Sequence, residues 1–304
     1  MSKNSKAHIA LIISNLFFGI NFPIAKSLMP DYLHPIEIII FRAGVSSILF
    51  WITQQFFCYE KTDKKDLLRF ALCGIFGVSI NQLLFFEGLN LSTPIDGSII
   101  MTSIPIMVLV ISGILIKENI TKTKLAGILL GITGALITIV YGKKLSAGAD
   151  PLKGNIFLFI NAVSYSIYFV LVKPMMKKYN TFTVMKWTFL FGFIGIIPFS
   201  FHAFSSVNWD HFSVFTWSAL IYVVVATTFL AYLLTAYSMK TVNPMVASFY
   251  IYLQPIVASL LAVMMYGETI TPIKLFSAAM IFVGIYLVSK KEKMASEKMP
   301  ERNQ

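Results

Sequence analysis

The chain has 304 residues, of which 57% are hydrophobic and only 13% carry a charged side chain, and its mean hydropathy is +0.74. Soluble domains contain about 25% charged residues, so this chain has too little charge to cover a water-exposed surface of its size. The apolar content also excludes a disordered chain, and 2 cysteines exclude a disulfide scaffold or a four-cysteine metal site. The composition therefore predicts a polytopic membrane protein.

Ten apolar stretches follow one another along the chain. A helix that crosses a hydrocarbon layer about 30 Å thick needs about 20 residues, because each residue adds about 1.5 Å. Backbone groups in lipid must be paired, and no stretch alternates as a β-barrel strand does, so the sequence predicts an all-α fold. The predicted spans are Ala7–Met29, Pro35–Phe57, Leu67–Leu89, Pro94–Ile116, Lys124–Gly142, Gly154–Lys173, Phe182–Ala203, Ser213–Met239, Pro244–Tyr266 and Pro272–Ser289.

Basic residues are distributed unevenly between the two ends of these spans. With the N-terminus in the cytoplasm, 19 Lys and Arg lie on the cytoplasmic side and 5 lie outside, while Arg42 lies within a span. The positive-inside rule then predicts a multi-pass protein of the cell (inner) membrane with both termini in the cytoplasm. The net charge of +11 is explained by topology, so nucleic acid is not an expected partner.

The second half of the chain repeats the first. With a shift of 150 residues, Pro94 aligns with Pro244 and Pro105 with Pro255, and five of the eight residues from 118 to 125 match those from 268 to 275. We expect a first five-helix repeat at 1–143, a linker at 144–153, a second repeat at 154–289 and a cytoplasmic tail at 290–304. Five is an odd number, so the second repeat must be inverted in the membrane. Inverted repeats are typical of transporters that bind substrate near the bilayer midplane.

The residues at the end of each repeat resemble the EamA-type branch of the drug/metabolite transporter superfamily. In the second repeat an apolar run from Pro255 leads to Gly267 and Glu268, and Gly284 lies in the next helix; in the first repeat Lys117 replaces the glycine before Glu118. The run from Phe229 to Tyr237 is also similar to the family pattern. The resemblance covers nearly the whole chain. It implies a ten-helix bundle that exports or imports small polar metabolites, often amino acids.

Ionisable side chains inside spans are functional candidates, since burying one in lipid costs about 2.5–3.5 kcal/mol on insertion scales. Arg42 lies about 10 Å below the outer end of the second span. It is a candidate gate or anchor for a substrate carboxylate, or one half of a structural ion pair with Glu87 or Asp96 near the same end. Glu87 is also the candidate carrier of a coupling proton.

Uncharged polar side chains in the spans predict a central cavity, because an amide that faced lipid would be unpaired. We expect spans 1–4 and 6–9 to surround it and spans 5 and 10 to lie at the periphery. Asn81, Asn161 and Tyr165 are among the deep polar groups. Together with Arg42 and Glu87, the predicted cavity residues are Asn15, Asn21, Gln82, Tyr168, Tyr232, Tyr250 and Gln254.

Four residues at matching positions are assigned mechanical or structural roles. Pro105 and Pro255 lie inside spans 4 and 9, where proline kinks a helix, and they are candidate hinges or static kinks. Glu118 and Glu268 lie at helix ends, where we expect them to cap and fix the turn into the next helix.

The sequence contains neither the Gly-x-x-x-x-Gly-Lys-Ser/Thr loop of ATP-driven proteins nor the His-Glu-x-x-His motif of zinc enzymes, so no catalytic residue, cofactor or metal is expected. We predict a secondary transporter, driven by an ion gradient, exchange or the substrate's own gradient, that exports a small, amino-acid-like metabolite by alternating access. A nucleotide-sugar or sugar-phosphate antiporter is the alternative, although it would need two or more cations in the cavity. A membrane-embedded transferase is the alternative from another class. A Gly127-x-x-x-Gly131 face on span 5 leaves both a monomer and a homodimer open.

Overall fold

The computed structural model describes residues 3–116, 121–145, 150–200, 203, 207–242 and 244–296. Every regular element within these ranges is helical. Nine helices in the described ranges are long and apolar enough to cross a membrane, and the apolar part of a tenth covers Pro272–Leu287. The predicted all-α polytopic membrane fold is therefore confirmed.

The ten predicted spans correspond to ten successive helical segments. The uninterrupted helices are α1 (Lys3–Leu28), α2 (Pro35–Phe57), α5 (Lys122–Leu145), α6 (Pro151–Lys178), α7 (Thr181–Ile196) and α10 (Pro272–Ser296). The interrupted helices are α3 (Leu67–Gly74, Ile75–Ser79 and Ile80–Leu91), α4 (Pro94–Met101 and Ile104–Ile116), α8 (Val214–Ile221, Tyr222–Leu230 and Ala231–Ser238) and α9 (Pro244–Phe249, Tyr250–Tyr252 and Leu253–Tyr266).

The helix ends differ from the predicted spans where local chemistry sets them. Helix α6 begins at Pro151, because Asp150 accepts a hydrogen bond from the Lys153 backbone N–H and proline suits the first helical turn. Helix α10 continues to Ser296, so the first residues of the predicted tail extend the last helix.

The packing interleaves the two repeats. Helix α1 packs against α8 and α9, and its counterpart α6 packs against α3 and α4. Helix α2 packs against its own counterpart α7, and α5 packs against α10. Each contact between repeats thus has an equivalent with the roles of the repeats exchanged, as a pseudo-two-fold arrangement of two inverted repeats requires.

Both repeats interrupt their helices at equivalent positions. Helix α3 contains a π-helical stretch at Ile75–Ser79 and α8 contains one at Tyr222–Leu230, whose starts differ by 147 residues. π-Helical turns are rare and are frequent at functional sites.

Proline accounts for the second pair of interruptions. Helix α4 breaks after Met101, four residues before Pro105, and α9 tightens into a 3₁₀ turn at Tyr250–Tyr252, just before Pro255. A proline ring clashes with the carbonyl four residues earlier and removes its hydrogen bond, which is where each break occurs. The use of these breaks as hinges stays a prediction.

Helices α5 and α10 make a close backbone contact between the two repeats. A Cβ atom on Gly284 would lie 2.6 Å from the Gly127 carbonyl oxygen and 2.8 Å from the Gly131 nitrogen. The Gly127 and Gly131 face is therefore occupied by α10 of the same chain.

We expect Gly284→Leu to lower the thermal unfolding midpoint of the detergent-solubilised protein. Its side chain would meet backbone atoms that cannot rotate away, and overpacking of this kind costs about 1–3 kcal/mol. The control is Val283→Leu, one residue earlier and 49% exposed, which should leave the midpoint unchanged. Equal midpoints for the two variants would contradict the contact.

Candidate functional site

A cavity lies between the repeats, with about 60 Å³ open to the centres of water molecules. This is room for roughly four to six waters, since one water needs about 10–15 Å³ on this measure. Its fourteen lining residues come from α1, α2, α3, α4, α6, α8 and α9. They are Phe18, Asn21, Phe22, Arg42, Asn81, Gln82, Phe85, Phe86, Met101, Ile104, Asn161, Tyr165, Tyr232 and Gln254.

Helices α5 and α10 contribute none of the lining residues in the described chain, in keeping with their expected place at the periphery. Helix α7, which the sequence predicts at the cavity, also contributes none. Its Phe189 instead packs edge-on against Tyr232, with 5.2 Å between ring centroids, so α7 supports the wall from behind.

The guanidinium of Arg42 provides the charge of the cavity. The residue is 3% exposed, and its Nη1 donates to Asn21 Oδ1 and to Thr227 Oγ1, each at 3.3 Å. Its carbon Cζ lies 4.7 Å from the centroid of the Phe86 ring, a cation–π contact. The Nε–H has no hydrogen-bond partner among the described residues.

Arg42 has no acidic partner in the described part of the chain: none of the ion pairs found there includes it. The sequence left open a pair between Arg42 and Glu87 or Asp96. The structure instead places the Asp96 carboxylate 3.0 Å from Lys274 Nζ. Arg42 is therefore a buried cation held by neutral groups.

Gln82 adds a second unsatisfied group to the same cavity. The residue is 1% exposed. Its amide lies beside Tyr232, but neither the amide nitrogen nor the amide oxygen makes a hydrogen bond to a described residue. A buried polar group without a partner costs about 1–3 kcal/mol, so the arrangement leaves donors and an acceptor for a ligand.

The remaining amides in the wall are held by contacts between helices. The Asn161 side chain donates to the backbone carbonyl oxygen of Asn81 at 2.6 Å, and the Tyr232 hydroxyl donates to Asn81 Oδ1 at 3.0 Å. Gln254 donates to Asn15 Oδ1 at 2.8 Å. These contacts fix the wall, whereas Arg42 Nε and both amide atoms of Gln82 are left without a hydrogen-bond partner among the described residues.

Pseudo-symmetry places different chemistry on the two sides of the cavity. With the shift of 150 residues, Gln82 of α3 is equivalent to Tyr232 of α8, and Ile104 of α4 is equivalent to Gln254 of α9, and all four line the cavity. The helices that form the cavity are therefore related by pseudo-symmetry, whereas the side chains that line it are not.

Five of the nine predicted cavity residues line the cavity: Asn21, Arg42, Gln82, Tyr232 and Gln254. The other four lie elsewhere. Asn15 lies behind Gln254, and Tyr168 packs against the backbone of Gly77. The Tyr250 hydroxyl lies 2.6 Å from Nδ1 of His8, and Glu87 is half-buried away from the lining.

The sequence reasoning missed the apolar lining residues and Thr227, and two of these missed residues contact Arg42 directly. Thr227 bonds both Arg42 and Asn21, and Phe86 supports the guanidinium. The adjacent threonines Thr227 and Thr228 within an apolar run were a usable signal for α8, whereas one phenylalanine among 27 carried none.

A buried ion cluster lies near the junction of α9 and α10. Lys274 Nζ lies 3.0 Å from Asp96 and 3.8 Å from Glu268, and the side chains of Lys274 and Asp96 are 6% and 0% exposed. Glu268 stands between helices, where burial raises the pKa of its carboxyl although Lys274 opposes the shift. Glu268 thus lies between the end of α9 and the start of α10, and its capping role stays a prediction. Glu118 lies outside the described residues.

Comparison with known proteins gives one family across both repeats. The model of the EamA-like transporter family matches residues 5–140 and 152–290. The chain is 25% identical over 297 residues to the "Uncharacterized transporter YyaM" of Bacillus subtilis, covering 94% of each chain. It is 22% identical over 293 residues to the "Probable terminal-alkyne amino-acid exporter" of Streptantibioticus cattleyicolor, covering 95% of each.

A solved crystal structure shares the fold, with a TM-score of 0.68 at 16% identity, over 96% of this chain and 99% of the other. The matched ranges include every residue that lines the cavity. This chain is a multi-pass membrane protein that belongs to the EamA-like transporter family, within the drug/metabolite transporter superfamily.

Proposed function

We propose that this transporter carries a small, amino-acid-like metabolite with a carboxylate out of the cell by alternating access, from a cell membrane in which both termini face the cytoplasm. The observation that carries the proposal is the buried guanidinium of Arg42, which faces the cavity between the repeats without an acidic partner among the described residues.

A buried cation without a counter-ion is costly in a membrane protein. Arg42 keeps this arrangement while facing a cavity that also holds the unpaired amide of Gln82. A carboxylate ligand would accept charge-assisted hydrogen bonds from the guanidinium, which are about twice as strong as neutral ones. The site is therefore suited to hold an anionic group.

The relatives support the class of substrate and the direction. One of them is named as an amino-acid exporter and matches this chain over 95% of its length. Its name is consistent with a substrate that carries a carboxylate and with transport out of the cell.

The cavity favours a carboxylate over a phosphate substrate. Arg42 is the one cation among the fourteen lining residues found in the described chain, whereas a nucleotide-sugar or sugar-phosphate site is expected to hold at least two. The same lining contains no carboxyl or imidazole side chain, so a coupling proton carried by Glu87 would act from outside the cavity.

Alternating access predicts that cavity residues react with impermeant thiol reagents added from either side. In a variant without Cys58 and Cys73, we expect cysteines at 21, 82 and 254 to be labelled from both sides of oriented vesicles, and from one side only when one state is locked. Cysteine at Lys177, which is exposed at the end of α6, should react from a single side in every state. Labelling of the cavity positions from one side in all states would contradict alternating access.

A further inference from the structure

We propose that the cavity takes its substrate as an organic monoanion, with a single carboxylate on an apolar, preferably aromatic body and with neutral groups as its other polar parts. This inference rests on the proposed function and narrows its substrate from amino-acid-like compounds in general to those whose net charge is −1.

The first step is the charge of the occupied site. The fourteen lining residues in the described chain carry a single charge, that of Arg42, and no carboxylate accompanies it there. A ligand with one negative charge gives a neutral complex. A dianion would leave one uncompensated negative charge in the cavity, and a cation would place two positive charges in it. Both are disfavoured within a membrane protein.

The second step concerns zwitterions. A free amino acid brings an ammonium together with its carboxylate, so the positive charge of Arg42 remains uncompensated. An acidic acceptor would hold the ammonium most strongly, and the described lining offers amide and hydroxyl side chains in its place. The unpaired Gln82 amide, with one acceptor and two N–H donors, instead matches a neutral group such as a hydroxyl or an acylated amine.

The third step concerns the body of the ligand. Six of the fourteen lining residues are aromatic. Phe22 and Phe86 each pack against Phe85 with 5.2 Å between ring centroids, and Tyr165 lies 6.2 Å from Tyr232. These rings form an apolar wall beside the guanidinium, since Arg42 already rests on Phe86. An aromatic body is accommodated by edge-to-face contacts of the same kind.

Four probes with the same benzyl group separate charge from shape: 3-phenylpropionate, phenylalanine, 2-phenylethylamine and benzylmalonate, with net charges of −1, 0, +1 and −2 at neutral pH. Binding is measured by the thermal shift of the purified protein, and transport by uptake into proteoliposomes. We expect 3-phenylpropionate to bind at least tenfold more tightly than phenylalanine, and the cation and dianion to bind more weakly than either.

Two variants test whether Arg42 sets the order of affinity of the four probes. In Arg42→Gln, affinity for 3-phenylpropionate should fall at least 100-fold and the preference for the monoanion should disappear, whereas Arg42→Lys should keep the ranking at reduced affinity. The matched control is Lys186→Gln, which removes a cation of α7 that lies 4.0 Å from the Trp51 ring centroid and 3.2 Å from Gln54, outside the cavity. It should leave the ranking unchanged.

The outcomes separate the two proposals. Phenylalanine that binds as tightly as 3-phenylpropionate, or a series in which none of the four probes binds, overturns the monoanion inference. The proposed transport function is judged independently by the two-sided labelling of the cavity cysteines, which requires no substrate. A monoanion preference that persists in Arg42→Gln would also overturn the inference, because the charge that sets it would then lie elsewhere.

Discussion

Arg42→Ala should abolish transport while leaving the thermal unfolding midpoint equal to or above that of the unmodified protein. The guanidinium is 3% exposed and has no acidic partner among the described residues. Its removal relieves a desolvation cost and breaks two long hydrogen bonds of 3.3 Å and one cation–π contact with Phe86. A substrate carboxylate would lose its counter-ion, and we expect the initial rate of uptake to fall more than 100-fold.

The measurement is the initial rate in proteoliposomes that contain equal amounts of folded protein, together with the unfolding midpoint in detergent. Lys186→Ala is the control, since it removes another cation of the membrane region that lies outside the cavity. Retention of the rate within threefold would remove Arg42 from the binding site. A midpoint lowered by many degrees would indicate that Arg42 stabilises the fold.

Loss of the Lys274 ammonium should strongly destabilise the protein. Lys274→Met leaves Asp96 and Glu268 close together without their shared cation, and removing one partner of a buried pair costs about 3–5 kcal/mol. Asp96→Asn should cost less, because Glu268 remains 3.8 Å from Lys274. The double variant should recover part of the loss, since Asp96 no longer adds a buried negative charge beside Glu268. The unfolding midpoints of the three variants in detergent give this comparison.

A matched control exists at the other end of the bundle. Lys178 lies 2.5 Å from Asp63 and 2.6 Å from Asp66, but its side chain is 47% exposed. Solvent screens an exposed ion pair, so Lys178→Met should shift the unfolding midpoint far less than Lys274→Met. Equal shifts would show that burial does not set the strength of the Lys274 cluster.

The helices and their duplication could be predicted from the sequence because lipid imposes a length and a composition on each span. The chemistry of the site was harder to locate. Hydropathy shows that Asn15 and Asn21 lie in one helix but not which of them faces the cavity. In the structure Asn21 lines the cavity, whereas Asn15 does not line it and instead bonds to Gln254.

Two features of the structure had no reliable signal in the sequence. The π-helical stretches of α3 and α8 add residues to a turn, so the rotation of the side chains in and beyond them departs from a period of 3.6. Lys274 has the sequence position of a basic residue at a span end, yet the packing of α4 against α9 and α10 buries it beside Asp96. Such tertiary contacts are not encoded by local spacing.

The interleaved packing of α1 with α8 and α9 has a consequence for biosynthesis. Ribosomes deliver the first five helices before the last five exist, so Asn15 and Arg42 enter the bilayer without Gln254 and Thr227, to which they later bond. Neither half can complete these polar contacts by itself. The newly made first half must therefore remain incompletely packed, in the membrane or bound to the insertion machinery, until the second half is synthesised.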